Sequence, residues 1–287
     1  MFTVESITPG TIAFPAGNFT SRQIFHSCSC RPLAEGNDTA IGLAEILASE
    51  GITVHPFSYP LSRRPEDLAR ELARFAERMG TTVAAAEAEK ERLDDVRRRA
   101  SLVDELAVEG RVKSGDLFAA LLATTDFLGD PEACAKLLDA TLARIHADDS
   151  PPPPLRLSWA GVPAIWPDVW DRAEAWGARV VDHEVPRQFA LLDSIGRDLV
   201  ATYLAFTYPY DTASRIRDVA REAERRGAAG VVHYVQSFCH RAIGDRLWRE
   251  GIRLPVLTLE ADRPGLMDER TRTRFEAFLE RSHPAVS

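Results

Sequence analysis

Cysteine placement carries most of the chemical information in this chain, which has four cysteines in 287 residues. Cys239 lies in Gly230-Val-Val-His-Tyr-Val-Gln-Ser-Phe-Cys-His-Arg241, where an apolar, β-branched run switches at once to helical spacing through Ile243, Leu247 and Trp248. The pattern predicts a buried strand that opens onto a helix, with the thiol at the strand's carboxyl end. Open α/β sheets hold their ligands there. Backbone N–H groups and a helix dipole at such a turn favour the thiolate, which binds metal or attacks. A free cysteine is also a common core residue, so position alone leaves both readings open. Cys28 and Cys30 form a Cys-x-Cys in a predicted loop before a helix that begins near Asp38. These three thiols suit an iron–sulfur cluster, and would leave one iron open if no fourth protein ligand arrived. Cys134 shares a helical face with Leu138, Leu142 and Ile145 behind Asp130-Pro131 and reads as core.

Other constellations are poorer. The chain has no Gly-x-Gly-x-x-Gly, P-loop, His-Glu-x-x-His or Gly-x-Ser-x-Gly motif, which argues against nucleotide and serine hydrolysis. A nucleophile pair of Cys239 with His240 or His233 is conceivable, but adjacent residues point apart and His233 falls within a buried strand, where a satisfied core histidine is commoner. His183-Glu184 ends another predicted strand and serves either acid/base chemistry or merely as a polar strand terminus. Arg187, Gln188 and Tyr208 are candidates to line a cleft, with a surface position the alternative for Arg187.

The elements that must position these residues are legible mainly in the second half. Asp148-Asp149-Ser150-Pro-Pro-Pro-Pro154 marks the clearest boundary, giving expected domains of residues 1–150 and 151–287. Beyond it, strands are expected at 155–160, 178–181, 230–236 and 254–260, alternating with helices at 167–176, 211–226, 241–250 and 268–281. Such alternation means an α/β fold with a parallel, doubly wound sheet. The 211–226 helix carries Ile216, Val219 and Ala223 on one face, and its ring of arginines and glutamates reads as a solvated face. The first half reads as mostly helical with a little sheet at 52–58, while residues 1–36 show no compact element.

With 45% hydrophobic and 27% charged residues, the chain can bury a sizeable core. Its net charge of −8, without a basic block, argues against nucleic acid as a partner. Neither a signal-peptide pattern nor a run of eighteen apolar residues occurs, so no membrane partner and a cytoplasmic location are expected. Cysteines there serve metal, catalysis or packing better than disulfides.

At these residues the chain becomes recognisable. Gly230 to His240, Leu254-Pro-Val-Leu-Thr-Leu-Glu-Ala-Asp-Arg-Pro264 and Thr271-Arg-Thr-Arg-Phe-Glu-Ala-Phe-Leu-Glu280 resemble the carboxyl-terminal domain of the 2-hydroxyacyl-CoA dehydratase D-component family, which includes benzoyl-CoA reductase subunits and double-cubane cluster proteins. Leu157-Ser-Trp-Ala-Gly-Val-Pro-Ala-Ile-Trp-Pro-Asp168 and Ala178-Arg-Val-Val-Asp-His-Glu-Val-Pro-Arg-Gln-Phe189 support the match, which is ordered over residues 115–281. The resemblance implies Rossmann-like or flavodoxin-like domains and a 4Fe–4S cluster held by three cysteines between domains. Cys239 matches the last ligand, and Cys28/Cys30 fall where the middle one is expected. It also implies an acyl-CoA substrate, a paralogous partner subunit in a heterodimer, and an ATP-dependent iron–sulfur activator. That activator injects one electron, so that the thioester carbonyl becomes a ketyl radical able to expel the hydroxyl group. Such machinery answers a physical difficulty, because the β-proton of a 2-hydroxyacyl thioester is too weakly acidic for a side-chain base.

One departure bears on the cluster. In the family a longer amino-terminal part supplies the first cysteine ligand, whereas 27 residues precede Cys28 here. Either the Cys-x-Cys supplies two ligands, or the cluster is incomplete or absent, or the chain completes its site with another protein. Three functions follow: a radical 2-hydroxyacyl-CoA dehydratase subunit, a low-potential reductase subunit of the benzoyl-CoA or double-cubane type, or a non-catalytic partner of a complete paralogue.

Overall fold

A computed structural model describes residues 23–27, 38–237 and 239–282. It divides into two compact units, Met1–Arg97 with Leu191–Asp211, and Arg98–Ala190 with Thr212–Ser287. In chain order the first stretch holds β1 (Gln23–Ser27), α1 (Asp38–Ser49), β2 (Thr53–Phe57), α2 (Pro65–Arg78) and α3 (Val83–Val108). Then come α4 (Ser114–Asp126), α5 (Pro131–Ala147), β3 (Leu155–Gly161), α6 (Val169–Ala175), β4 (Ala178–His183) and α7 (Glu184–Ala190). They are followed by α8 (Leu199–Ala205), α9 (Thr212–Arg225), β5 (Gly230–Val235), α10 (Asp245–Gly251), β6 (Val256–Glu260) and α11 (Glu269–Ser282). Among the described residues no helix is long and apolar enough to cross a membrane.

In the first unit β1 and β2 pair in parallel, from Gln23 opposite Thr53 to Ser27 opposite Phe57, with α1 as the crossover. The core beside them is aromatic. Phe57 meets Tyr59 and Phe75 edge-on at 5.2 and 5.4 Å, and Tyr59 reaches Tyr203, Phe206 and Tyr210 from the 191–211 segment. Helix α2 feeds this core because Leu68, Leu72, Phe75 and Ala76 recur at helical spacing and are all buried. β1 lies in the stretch where the sequence showed no element, since its Gln-Ile-Phe-His-Ser lacks clear alternation.

The second unit is built on four parallel strands in the order β4-β3-β5-β6. Numbered within the unit this is 2-1-3-4, the flavodoxin-like order, whose winding reverses between β3 and β5. The two faces of β3 are sorted by its alternation. Leu155, Leu157 and Trp159 pack with Trp170 and Ala173 of α6 and Phe275, Phe278 and Leu279 of α11. Ala160 and Val231 pack with Ile216, Val219 and Ala223 of α9 and Trp248 of α10. Helices thus cover both faces, as the sequence predicts.

The proline run lies inside this unit as the lead into β3, and α4 and α5 ahead of it belong with the sheet behind it. Phe118 of α4 joins the Trp159 cluster, Ser114 Oγ accepts from Val180 N at 2.9 Å, and Arg179 donates to the Gly110 carbonyl at 2.6 Å. Stiff prolines connect here without dividing, so the units do not separate at residues 150 and 151 as expected.

The ring of charges on α9 is a second correction. Arg215, Asp218 and Glu222 are buried, and Arg226 just beyond the helix has 0% exposure. Arg226 donates to the Val181 carbonyl and to Asp104, each at 2.7 Å. Arg187, also buried, bridges Asp182 at 3.0 Å and Asp218 at 2.5 Å. Asp182 further accepts from Ser158 Oγ at 2.6 Å. Burial alone would push the Asp182 carboxyl up, but the Arg187 and Arg226 guanidiniums outweigh it and hold the group below the usual carboxylate range. Removing one member leaves a buried charge uncompensated, so Arg226→Leu is expected to cost about 3–5 kcal/mol. Exposed Glu224→Ala on the same helix should stay within about 0.5 kcal/mol, both read from urea unfolding midpoints.

Candidate functional site

The carboxyl ends of β3 and β5, where the winding reverses, are held by close backbone contact and buried charge. Gly161 ends β3 with φ of +103°, and a Cβ there would stand 2.0 Å from the Tyr234 carbonyl oxygen, so only glycine fits. Its N–H donates to Glu184 Oε2 at 2.8 Å, and Glu184 is gripped by both arms of Arg215 at 2.6 and 2.7 Å. Burial pushes the Glu184 carboxyl up, yet Arg215 more than offsets it and keeps the group ionised. The His183-Glu184 pair is therefore fully buried, and Glu184 is committed to the end of β3.

Beyond β5 the chain turns through Gln236 and Ser237 to Cys239, a half-buried free thiol. Ser237 is tied to β6 and its sequel, its N–H donating to Asp262 at 2.6 Å and its hydroxyl to Glu260. Cys239 N donates to the Gln236 carbonyl at 3.1 Å, and the Cys239 carbonyl accepts from Ala242 N at 2.9 Å. The predicted helix start is a tight 3-10 turn, His240–Gly244, before the seven-residue α10.

His233 is buried in β5, as a core histidine would be, with Nδ1 2.9 Å from Asp245 and its ring stacked on Trp248 at 4.7 Å. Burial lowers its pKa, so the neutral ring donates from Nδ1 to a carboxylate that can only accept. Asp245 also accepts from Thr258 Oγ1 and pairs with Arg249 at 2.7 Å. Beside Ser237 a cleft of about 630 Å³ opens, lined by Trp166, Glu260, Asp262 and Asp268 and by Arg263, Arg270 and Arg274. This mixture of carboxylates and guanidiniums suits a polar, charged ligand.

The expected site residues fare differently. Cys239 stands where its sequence places it, while Cys28 and Cys30 lie outside the described residues. Cys134 is core: fully buried, with Sγ against the Ala123 carbonyl at 3.4 Å and its thiol pushed up to about 11 by burial. Arg187 and Gln188 are buried and meet at Asp218, so Arg187 is not the surface residue that was its alternative. Tyr208 is buried in the first unit, stacked on Phe206. Sequence reasoning missed Asp245, Glu260 and Asp262, which fasten the segments before and after Cys239; their one signal was a carboxylate at a strand end or helix start. Among the described residues no three or more His, Cys, Asp or Glu side chains are grouped to hold a metal ion. Those residues offer a cluster one thiol, which by itself does not hold one.

A family model described as 2-hydroxyglutaryl-CoA dehydratase, D-component, matches residues 25–281. No curated protein matches the chain.

Burial lowers the His183 pKa from 6.5 to about 4, with Nε2 against the Ser114 carbonyl at 3.2 Å and the ring edge-on to Trp170. Below pH 6.5 the unfolded chain takes up a proton that the folded one refuses. Folding stability should therefore fall between about pH 6.5 and 4, by up to about 3 kcal/mol from this residue. His183→Gln should flatten that slope in urea midpoints measured at pH 7 and pH 5.

Proposed function

Since the chain belongs to the 2-hydroxyglutaryl-CoA dehydratase D-component family, we propose that it is a subunit of a 2-hydroxyacyl-CoA dehydratase whose iron–sulfur cluster takes Cys28, Cys30 and Cys239 as thiolate ligands. The observation that carries this reading is Cys239, a half-buried free thiol just past the carboxyl end of β5, beside the point where the sheet's winding reverses. The family match spans all three cysteines. Bound there, a cluster would supply one electron at low potential and an open iron as Lewis acid for the substrate oxygen.

The chain's own residues provide the frame. Ser237, fastened to Asp262 and Glu260, sets the direction in which the turn leaves β5. Glu184 and Arg215 fix the end of β3 without offering a loose proton. Trp166, which lines the adjoining cleft, is itself buried and held edge-on to Tyr234 of β5 at 5.2 Å. A paralogous subunit and an ATP-dependent iron–sulfur activator are the partners, acyl-CoA the substrate, and the cytoplasm the location.

Iron and acid-labile sulfide per chain, with an EPR spectrum, should be measured on protein made and purified without oxygen. Roughly four irons are expected, lost in Cys239→Ala and in the Cys28→Ala/Cys30→Ala double variant. An iron-free parent protein would overturn the reading and leave a partner role for the fold.

A further inference from the structure

We propose that Asp245 is a positioning residue for Cys239, acting through the main chain of the turn between them. The inference rests on Cys239 being the functional thiol of the reading above. Two successive hydrogen bonds link the residues: the Cys239 carbonyl accepts from Ala242 N, and the Ala242 carbonyl accepts from Asp245 N. The Asp245 carboxylate is in turn anchored to two strands, by His233 Nδ1 of β5 at 2.9 Å and by Thr258 Oγ1 of β6. Position is thus passed from the sheet to the main chain of Cys239 through the backbone of the turn.

The turn needs that anchor because burial does little to hold it. Ile243, its largest apolar side chain, is 87% exposed, and Leu247 one turn later is also exposed. What is buried lies beneath Asp245. Trp248 stacks on His233 and lies under the Arg215 guanidinium at 5.1 Å, and Arg215 holds the Glu184 that fixes Gly161. The ends of β3 and β5 therefore share one support, and Asp245 is its last member before the cysteine. On the other side Ser237 is fastened to Asp262, so the thiol sits between two carboxylate anchors.

Selective alkylation tests the assignment. Full-length, metal-free, reduced protein is treated with iodoacetamide, and the rates at Cys239 and Cys134 are read separately by peptide mass spectrometry. Asp245→Ala should raise the Cys239 rate roughly tenfold, the factor set by one lost charge-assisted hydrogen bond. Thr258→Val should raise it less, and neither should alter Cys134. An unchanged Cys239 rate would overturn the proposal, as would an equal rise at Cys134, which reports general loosening. If Asp245→Ala does not fold, Thr258→Val decides by the same two outcomes. Labelling needs no iron, so it stands apart from the ligand reading, which the iron content of Cys239→Ala decides.

Discussion

Two guanidinium groups with almost no access to water, Arg215 and Arg226, set the terms on which the second unit is built. Moving such a charge out of water costs several kcal/mol unless carboxylates and carbonyls surround it in good geometry. Arg226 finds them on α3 and β4, through Asp104 and the Val181 carbonyl, while Arg215 finds Glu184 at the start of α7. Each partner comes from a different element, so the charges are satisfied only when α3, β4, α7 and α9 have taken their places. An apolar core tolerates small slips of packing. Paired charges in a dry interior tolerate far less, and here they lock the register at the edge of the sheet.

The same rigidity reaches the carboxyl ends of the strands. Gly161 is pressed against the Tyr234 carbonyl on one side and bonded to Glu184 on the other. β3 and β5 consequently end in a defined relation, and the turn carrying Cys239 starts from a fixed origin. Pro186 inside α7 is compatible with this, because it sits in the first turn, where a backbone N–H has no helical partner to lose.

How much of this the sequence disclosed depended on whether the decisive contact was local. The four strands of the sheet, the helices between them and the turn at Cys239 follow from periodicity and switch points that short windows contain. The fate of Arg215, Asp218 and Glu222 does not, since an Arg/Glu-rich helix looks alike whether water or distant carboxylates face it. Asp104 is 122 residues from Arg226, and no window joins them. The proline run misled for a related reason, because stiffness marks a connector but does not say whether the elements on its two sides pack together. Cys239 was legible as a strand-end thiol, whereas Asp245 was not legible as its support, since His233 and Thr258 approach it from two separate strands. α7 was read as the polar end of a strand, since its first residues give no helical period.

The first unit is discontinuous in the chain: Leu191–Asp211 completes a body begun in the first 97 residues, after ninety-three residues that belong to the other unit. On the ribosome, Tyr59 must therefore wait for Tyr203, Phe206 and Tyr210 until most of β3, β4 and α7 has already emerged. By then the sheet of the second unit still lacks β5 and β6. Neither body can be finished before the other is well under way, so maturation of this polypeptide is an interleaved process during translation, with unsealed aromatic surface in the nascent chain for chaperones to shield.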